Sequence, residues 1–153
     1  MRALVQRVTH AEVAVGGQEV GHCRRGWLVL LGVGPGDTKD SARRLWEKVR
    51  DLRAFDDGEG KMNLSLVDVE GEVLVVSQFT LYADVRHGRR PSFTGAASPD
   101  VAEPLYEYFC SLAERDAAHV GRGVFGAEMA VSLVNDGPVT LMIDTDELSR
   151  RRA

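Results

Sequence analysis

The sequence predicts an α/β domain in which helices cover one face of a mixed sheet and further strands close the other side. Three observations carry this. GWLVLLGV at 26–33 and EVLVVS at 72–77 are apolar almost without interruption, as strands covered on both faces are. Each run is followed by a segment of helical periodicity, beginning near residues 38 and 98. Strand-like segments open and close the chain.

In order, Ala3 to Val15 alternates in part and meets Gly16-Gly17, which predicts two or more strands around a glycine turn. The run from Trp27 to Val33 is the first buried strand. Asp37 stands where it can cap a helix over TKDSARRLWEKVRDLRAF, with Ala42, Leu45, Trp46, Val49 and Leu52 on one face. A loop, DDGEGKMNLSL, leads to the strand EVLVVSQFTL. Ser98-Pro99 is a cap and first-turn pair for a second helix, with Val101, Leu105, Tyr108, Phe109 and Leu112 as its buried stripe. Three short strands are expected around Val120–Val124, Met129–Val134 and Val139–Ile143. Between the last two, VNDGPVTL interrupts the pattern. Asp136-Gly137 reads as a hairpin turn, with proline excluded from the ladder, or as backbone used directly as a tool.

The chain of 153 residues, 44% hydrophobic, is of a size for one domain spanning 1–153, with residues from about 146 onward as a basic tail. MRALVQRVTH lacks the long apolar stretch of a signal peptide, and no run approaches the length of a membrane span. Cys23 and Cys110 stand far apart and suit reduced thiols, so a cytoplasmic protein is expected. With a net charge of −4, any nucleic acid must be held by a local patch. Arg86, Arg89 and Arg90 offer one, and Arg150, Arg151 and Arg152 read as a solvated tail.

Common catalytic signatures are missing from the sequence. It has no phosphate loop, dinucleotide fingerprint, HExxH or CxxC, so no metal or cofactor is expected. The four histidines are scattered singly, and Ser77 lacks a glycine-flanked elbow. There remain Ser77, Gln78 and Thr80 at the carboxyl end of an otherwise apolar strand, where α/β sheets place ligands; a strand merely reaching the surface is the other reading. The long basic connection from Tyr82 to Ala97 follows.

SQFTL at 77–81 and NDGPVT at 135–140 resemble the two signature motifs of the D-aminoacyl-tRNA deacylases. The similarity continues through LVQRVTHAEV, GKMNLSL, RRPSF, SPDVAEPLYEYF and VFGAEMAVSLVNDGPVT, nearly the whole chain. It implies a three-layer α/β/β fold and a homodimer. It also implies hydrolysis of the ester joining a D-amino acid, or mischarged glycine, to the 3′-terminal adenosine of tRNA, with L-aminoacyl-tRNA rejected. By resemblance Ser77, Gln78, Phe79 and Thr80 form the catalytic segment, with backbone N–H groups around Gln78 and Phe79 as oxyanion donors. Thr80 is open to two readings, as nucleophile or as a group that orders water or ribose. The resemblance places a cis Gly137-Pro138 in the partner's active site for chiral selection, with Arg7 bracing the loop. It places Phe125 and Met129 near the terminal adenosine, strand core being the other reading for both. Arg86, Arg89 and Arg90 would meet tRNA phosphates. The competing functions are a non-catalytic RNA 3′-end binding module and a general esterase using Ser77.

Overall fold

The computed structural model describes residues 1–149; Arg150, Arg151 and Arg152 lie outside the described residues. Strand β1 (Arg2–Val15) is the axis of the sheet. On one edge it pairs with β2 (Gln18–Cys23) and β3 (Gly26–Gly32), in a register that runs unbroken from Ala11↔Cys23 to Val8↔Gly26 and Arg2↔Gly32. These strands are one long hairpin turning at Gly16-Gly17, as the alternation predicts. β3 then pairs in parallel with β6 (Glu72–Ser77), and β6 in parallel with β7 (Val120–Arg122). The other edge of β1 is taken by β8 (Ala130–Asp144), antiparallel. A small hairpin, β4 (Phe55–Asp56) with β5 (Met62–Leu64), occupies the segment read as plain loop.

Because side chains alternate along a strand, β3 supplies both cores. Trp27, Val29 and Leu31 face α1 (Lys39–Asp51) and α2 (Pro99–Asp116), where they meet Leu45, Trp46, Val49, Tyr106 and Phe109. Leu28 points the other way, joining Val8, Ala11, Val13, Leu74 and Val76 under the strands that close the second side. Burying an aliphatic or phenyl side chain contributes about 1.5–3 kcal/mol each. The Trp46 indole N–H donates to Asp116 at 2.8 Å and ties the two helices together. The α/β/β layering is as expected.

The sheet nearly closes on itself, because β2 and β7 lie against each other at two glycines. A Cβ on Gly21 would stand 2.9 Å from the Arg122 nitrogen, and one on Gly121 2.8 Å from the His22 nitrogen. Beside this seam the His22 and His119 rings stack at 5.2 Å.

Several expectations are corrected. Thr38, in a capping box with Ser41, caps α1; Asp37 instead accepts from the Gly34 N–H at 2.6 Å. The helix ends at Asp51, so Phe55 falls in β4. On α2 the buried tyrosine is Tyr106, beside the expected Phe109, with Tyr108 only partly buried and Val101 37% exposed. The β6 strand stops at Ser77, and residues 79–82 coil into a 3-10 turn. Residues Thr145–Leu148 form a short helix, α3, where a tail was expected. The final two strands are one, which removes the hairpin at Asp136-Gly137. No helix among the described residues is long and apolar enough to cross a membrane.

Candidate active site

The sequence NDGPVT forms a bulge within β8. The β1–β8 ladder runs in register from Ala14↔Ala130 to His10↔Val134, slips at Val8↔Asn135, and shifts again before it resumes at Gln6↔Thr140. The extra residues leave the sheet opposite Arg7. Each member of the motif has a structural task. The Asn135 amide spans the base of the bulge, accepting from the Val139 N–H at 2.7 Å and donating to Thr140 Oγ1 at 2.9 Å, so it replaces the lost ladder bonds. Pro138 has no N–H to satisfy. Val139 is buried and anchors the return. Gly137-Pro138 is cis, with Gly137 at φ 139° and both residues exposed.

Arg7 is 6% exposed and holds this loop from below. Its Nε donates to the Asp136 carbonyl at 2.9 Å and its Nη1 to the Ala54 carbonyl at 2.7 Å, with Asp56 3.3 Å away. A charge that deeply buried needs such partners. The buried guanidinium thus joins the loop's Asp136 carbonyl to the segment at Ala54 and Asp56.

Away from the bulge, the carboxyl ends of β3 and β6 open into a cavity of about 370 Å³. Its walls include Leu31, Val33, Phe93, Ala102, Tyr106 and Phe125, and Ser77, Gln78 and Phe79 form its polar rim. The size suits a small organic group with few fixed polar contacts. None of the four histidines lines it. The Tyr106 hydroxyl donates to the Val75 carbonyl at 3.0 Å, and burial pushes its pKa upward, so it is no proton donor to a ligand.

The 3-10 turn supplies the donors. The Gln78 N–H is already given to the Leu31 carbonyl at 2.7 Å, which corrects its expected availability. The N–H groups of Phe79 and Thr80, at the start of the turn, have no partner among the described residues, as the first donors of a helical turn do not. Thr80 is exposed and its hydroxyl accepts from the Gln78 side-chain amide.

Arg2, which the sequence did not single out, supports this turn. It donates from Nη1 to the Leu81 carbonyl at 2.8 Å, lies 4.4 Å over the Tyr82 ring, and bonds Asp144 at 3.0 Å. Burial opposes ionisation of Asp144, yet the Asp146 N–H and Arg2 together hold its carboxyl below the usual range. The signal was weak because a residue at a strand end carries no periodicity.

Phe125 lines the cavity, 5.9 Å from the Tyr106 ring, and lies with Met129 on the connection between β7 and β8. Met129, partly buried, packs against the second core. The basic residues are unequal. Arg86 makes a fork to Asp84 (2.8 and 2.9 Å) that holds the Asp84 carboxyl low, whereas Arg89 and Arg90 are exposed and have no ion-pair partner among the described residues.

Gly137-Pro138 does not line its own chain's cavity. The bulge sits opposite Arg7, four residues along β1 from the Ala3–Leu31–Ser77 row, and three strand spacings from β6. That is roughly 13 Å along the strands and roughly 14 Å across them.

Fold and site thus define an α/β/β ligand-binding domain whose apolar cavity opens beside a turn of free backbone donors. The family described as D-Tyr-tRNA(Tyr) deacylase matches residues 4–144, and the chain belongs to it. A D-aminoacyl-tRNA deacylase of Thermus aquaticus is 57% identical over 147 residues, covering 96% of this chain and 97% of that one. One from Thermosipho africanus is 55% identical over 148 residues, covering 97% and 99%. The solved structure of a c-Myc DNA unwinding element binding protein superposes with a TM-score of 0.88 at 39% identity, covering 94% and 98%. That of a probable eukaryotic D-amino acid tRNA deacylase gives 0.79 at 22% identity, covering 93% and 97%, a likeness of fold.

Proposed function

We propose that this protein hydrolyses the ester of D-aminoacyl-tRNA, and of mischarged glycyl-tRNA, releasing the amino acid and free tRNA while rejecting L-aminoacyl-tRNA. The observation that carries the reading, alongside the family, is a cavity rimmed by unengaged N–H donors yet free of histidine. An aminoacyl ester is already activated, so positioning and stabilisation of the developing oxyanion suffice to open it. The terminal adenosine enters the apolar cavity beside Phe125, and the ester carbonyl faces Phe79 and Thr80. Thr80 orders water or the ribose, since no base stands by to take its proton. Ser77 lacks a base as well, which disfavours the general esterase.

Chirality is read by the Gly137-Pro138 loop of a second copy. The loop is exposed, braced by Arg7, and too distant to serve its own cavity. Val134 (45% exposed) and Met142 (51%) flank it on β8, leaving apolar surface for the partner of a homodimer. A loop presenting carbonyls and a glycine contacts what every substrate shares, the α-ammonium and the Cα hydrogen, and leaves no room for an L side chain. Arg89 and Arg90 hold tRNA phosphates, and the cytoplasm is the compartment where such substrates occur. Rates on matched D- and L-tyrosyl-tRNA test the reading. Rapid release of D-tyrosine with L-tyrosyl-tRNA spared is expected; equal rates, or none on the D-ester, overturn it.

A further inference from the structure

Between the 3-10 turn and α2 the chain makes a closed loop. Asp84 and Ser92 exchange both backbone hydrogen bonds, at 2.7 and 2.9 Å, so residues 85–91 form a tip that carries Arg89 and Arg90. Phe93 follows immediately, and its ring turns back to the cavity mouth. There it meets the Phe79 ring edge to face, centroids 5.1 Å apart at 79°. Phe79 is 57% exposed and Phe93 38%. Phe79 therefore offers two groups: its N–H has no partner among the described residues, while its exposed ring packs on Phe93. From the cavity outward, aromatic surface at Tyr106 and Phe125 is followed by this exposed pair, and then along the chain by two arginines with no carboxylate partner among the described residues.

We propose that the Phe79–Phe93 pair is a stacking platform for the nucleobase immediately 5′ of the esterified adenosine. The inference rests on the reading of the cavity as an RNA 3′-end site and names a second base subsite within it. A single strand leaving the cavity must cross the rim, and every base offers a flat π-face there while its phosphates run toward cations, the arrangement by which proteins hold single strands without reading sequence. Phe93 lines the cavity and directly follows the Asp84–Ser92 bridge that closes the arginine-bearing tip, so its ring stands on the chain between the two.

The test compares D-tyrosyl-tRNA with the same tRNA made abasic at that one residue, its phosphate retained, for the wild-type protein and the Phe93→Leu and Phe93→Tyr variants. In the wild type and Phe93→Tyr, losing the base is expected to lower kcat/KM about tenfold. In Phe93→Leu, which keeps apolar bulk without a ring face, the two tRNAs should differ by less than about twofold. The readout is a ratio, so a general loss of activity in one variant does not disturb it. Wild-type indifference to the missing base overturns the proposal, as does a full base effect in Phe93→Leu. A weakened dimer in sedimentation, with the ratio intact, would assign the rings to a protein interface and also overturn it. Failure of the wild type on both tRNAs would remove the functional reading itself.

Discussion

Gly137 stands at φ 139°, and a Cβ there would lie 2.8 Å from Val139 Cγ2 and 3.2 Å from Arg7 Nη2. A methyl group would therefore press first on the loop's own supports. Gly137→Ala should lose about 1–3 kcal/mol of stability. That would appear as a lowered Tm together with slower D-ester hydrolysis; an unchanged melt with reduced turnover would place the methyl in the pocket after all. Thr80 is the second residue whose fate is decided locally. Its hydroxyl accepts from the Gln78 amide, and no histidine lines the cavity. Thr80→Ser should retain most activity, and rapid quenching should trap no aminoacyl-enzyme. A covalent adduct on residue 80 would restore nucleophilic catalysis. Of such single-residue facts, the sequence displayed Ser77 to Thr80 as polar groups ending an apolar strand. It did not display that the Gln78 N–H is spent on Leu31, because that bond depends on a residue 47 positions earlier, on the parallel neighbouring strand.

At the level of elements, the two helices and the buried strands were legible because apolar periodicity is a local property. The exceptions are instructive. Phe79 and Leu81 alternate with polar neighbours and so extend the strand pattern of β6, yet they belong to a 3-10 turn held by Arg2 from β1. Likewise, Asp136-Gly137 has the composition of a hairpin. What keeps β8 continuous is an Asn135 amide standing in for ladder bonds and an arginine on the adjacent strand, neither of which leaves a mark on local periodicity. The turn and the basic loop make separable contributions. Arg2→Lys keeps the charge beside Asp144 but loses the fork that also reaches Leu81, so kcat should fall with little change in KM. A rise in KM alone would show that Arg2 does not position the turn. Conversely, replacing Arg89 and Arg90 with alanine should raise KM for tRNA and flatten its salt dependence by about one unit of log–log slope per arginine. Arg86→Ala should do less, since Asp84 already engages that guanidinium. Equal effects from all three would contradict the distinction.

For the whole molecule, the separation of the Gly137-Pro138 bulge from its own cavity makes complementation possible. A variant with a damaged loop brace, Arg7→Ala, and one with a damaged donor, Phe79→Pro, should each be poorly active alone. On the proposed homodimer with the loop acting in trans, refolding the two variants as a mixture gives mixed dimers in which one site combines an intact cavity with an intact loop, and about a quarter of wild-type activity should return. No recovery, with mixed dimers demonstrated, would mean that loop and cavity act within one chain. The close approach of β2 and β7 has a consequence of another kind. A strand lying at the border of a sheet exposes a row of unpaired amide and carbonyl groups that can recruit a second molecule into cross-chain pairing. At Gly21 and Gly121 the two borders press together, with the imidazoles of His22 and His119 stacked beside them, so neither strand presents a long flat template to a neighbour. Two absent side chains thereby guard solubility: a methyl at either position would prise the join apart and uncover both borders at once, and the damage would show first as self-association in a crowded cell, well before any loss of turnover.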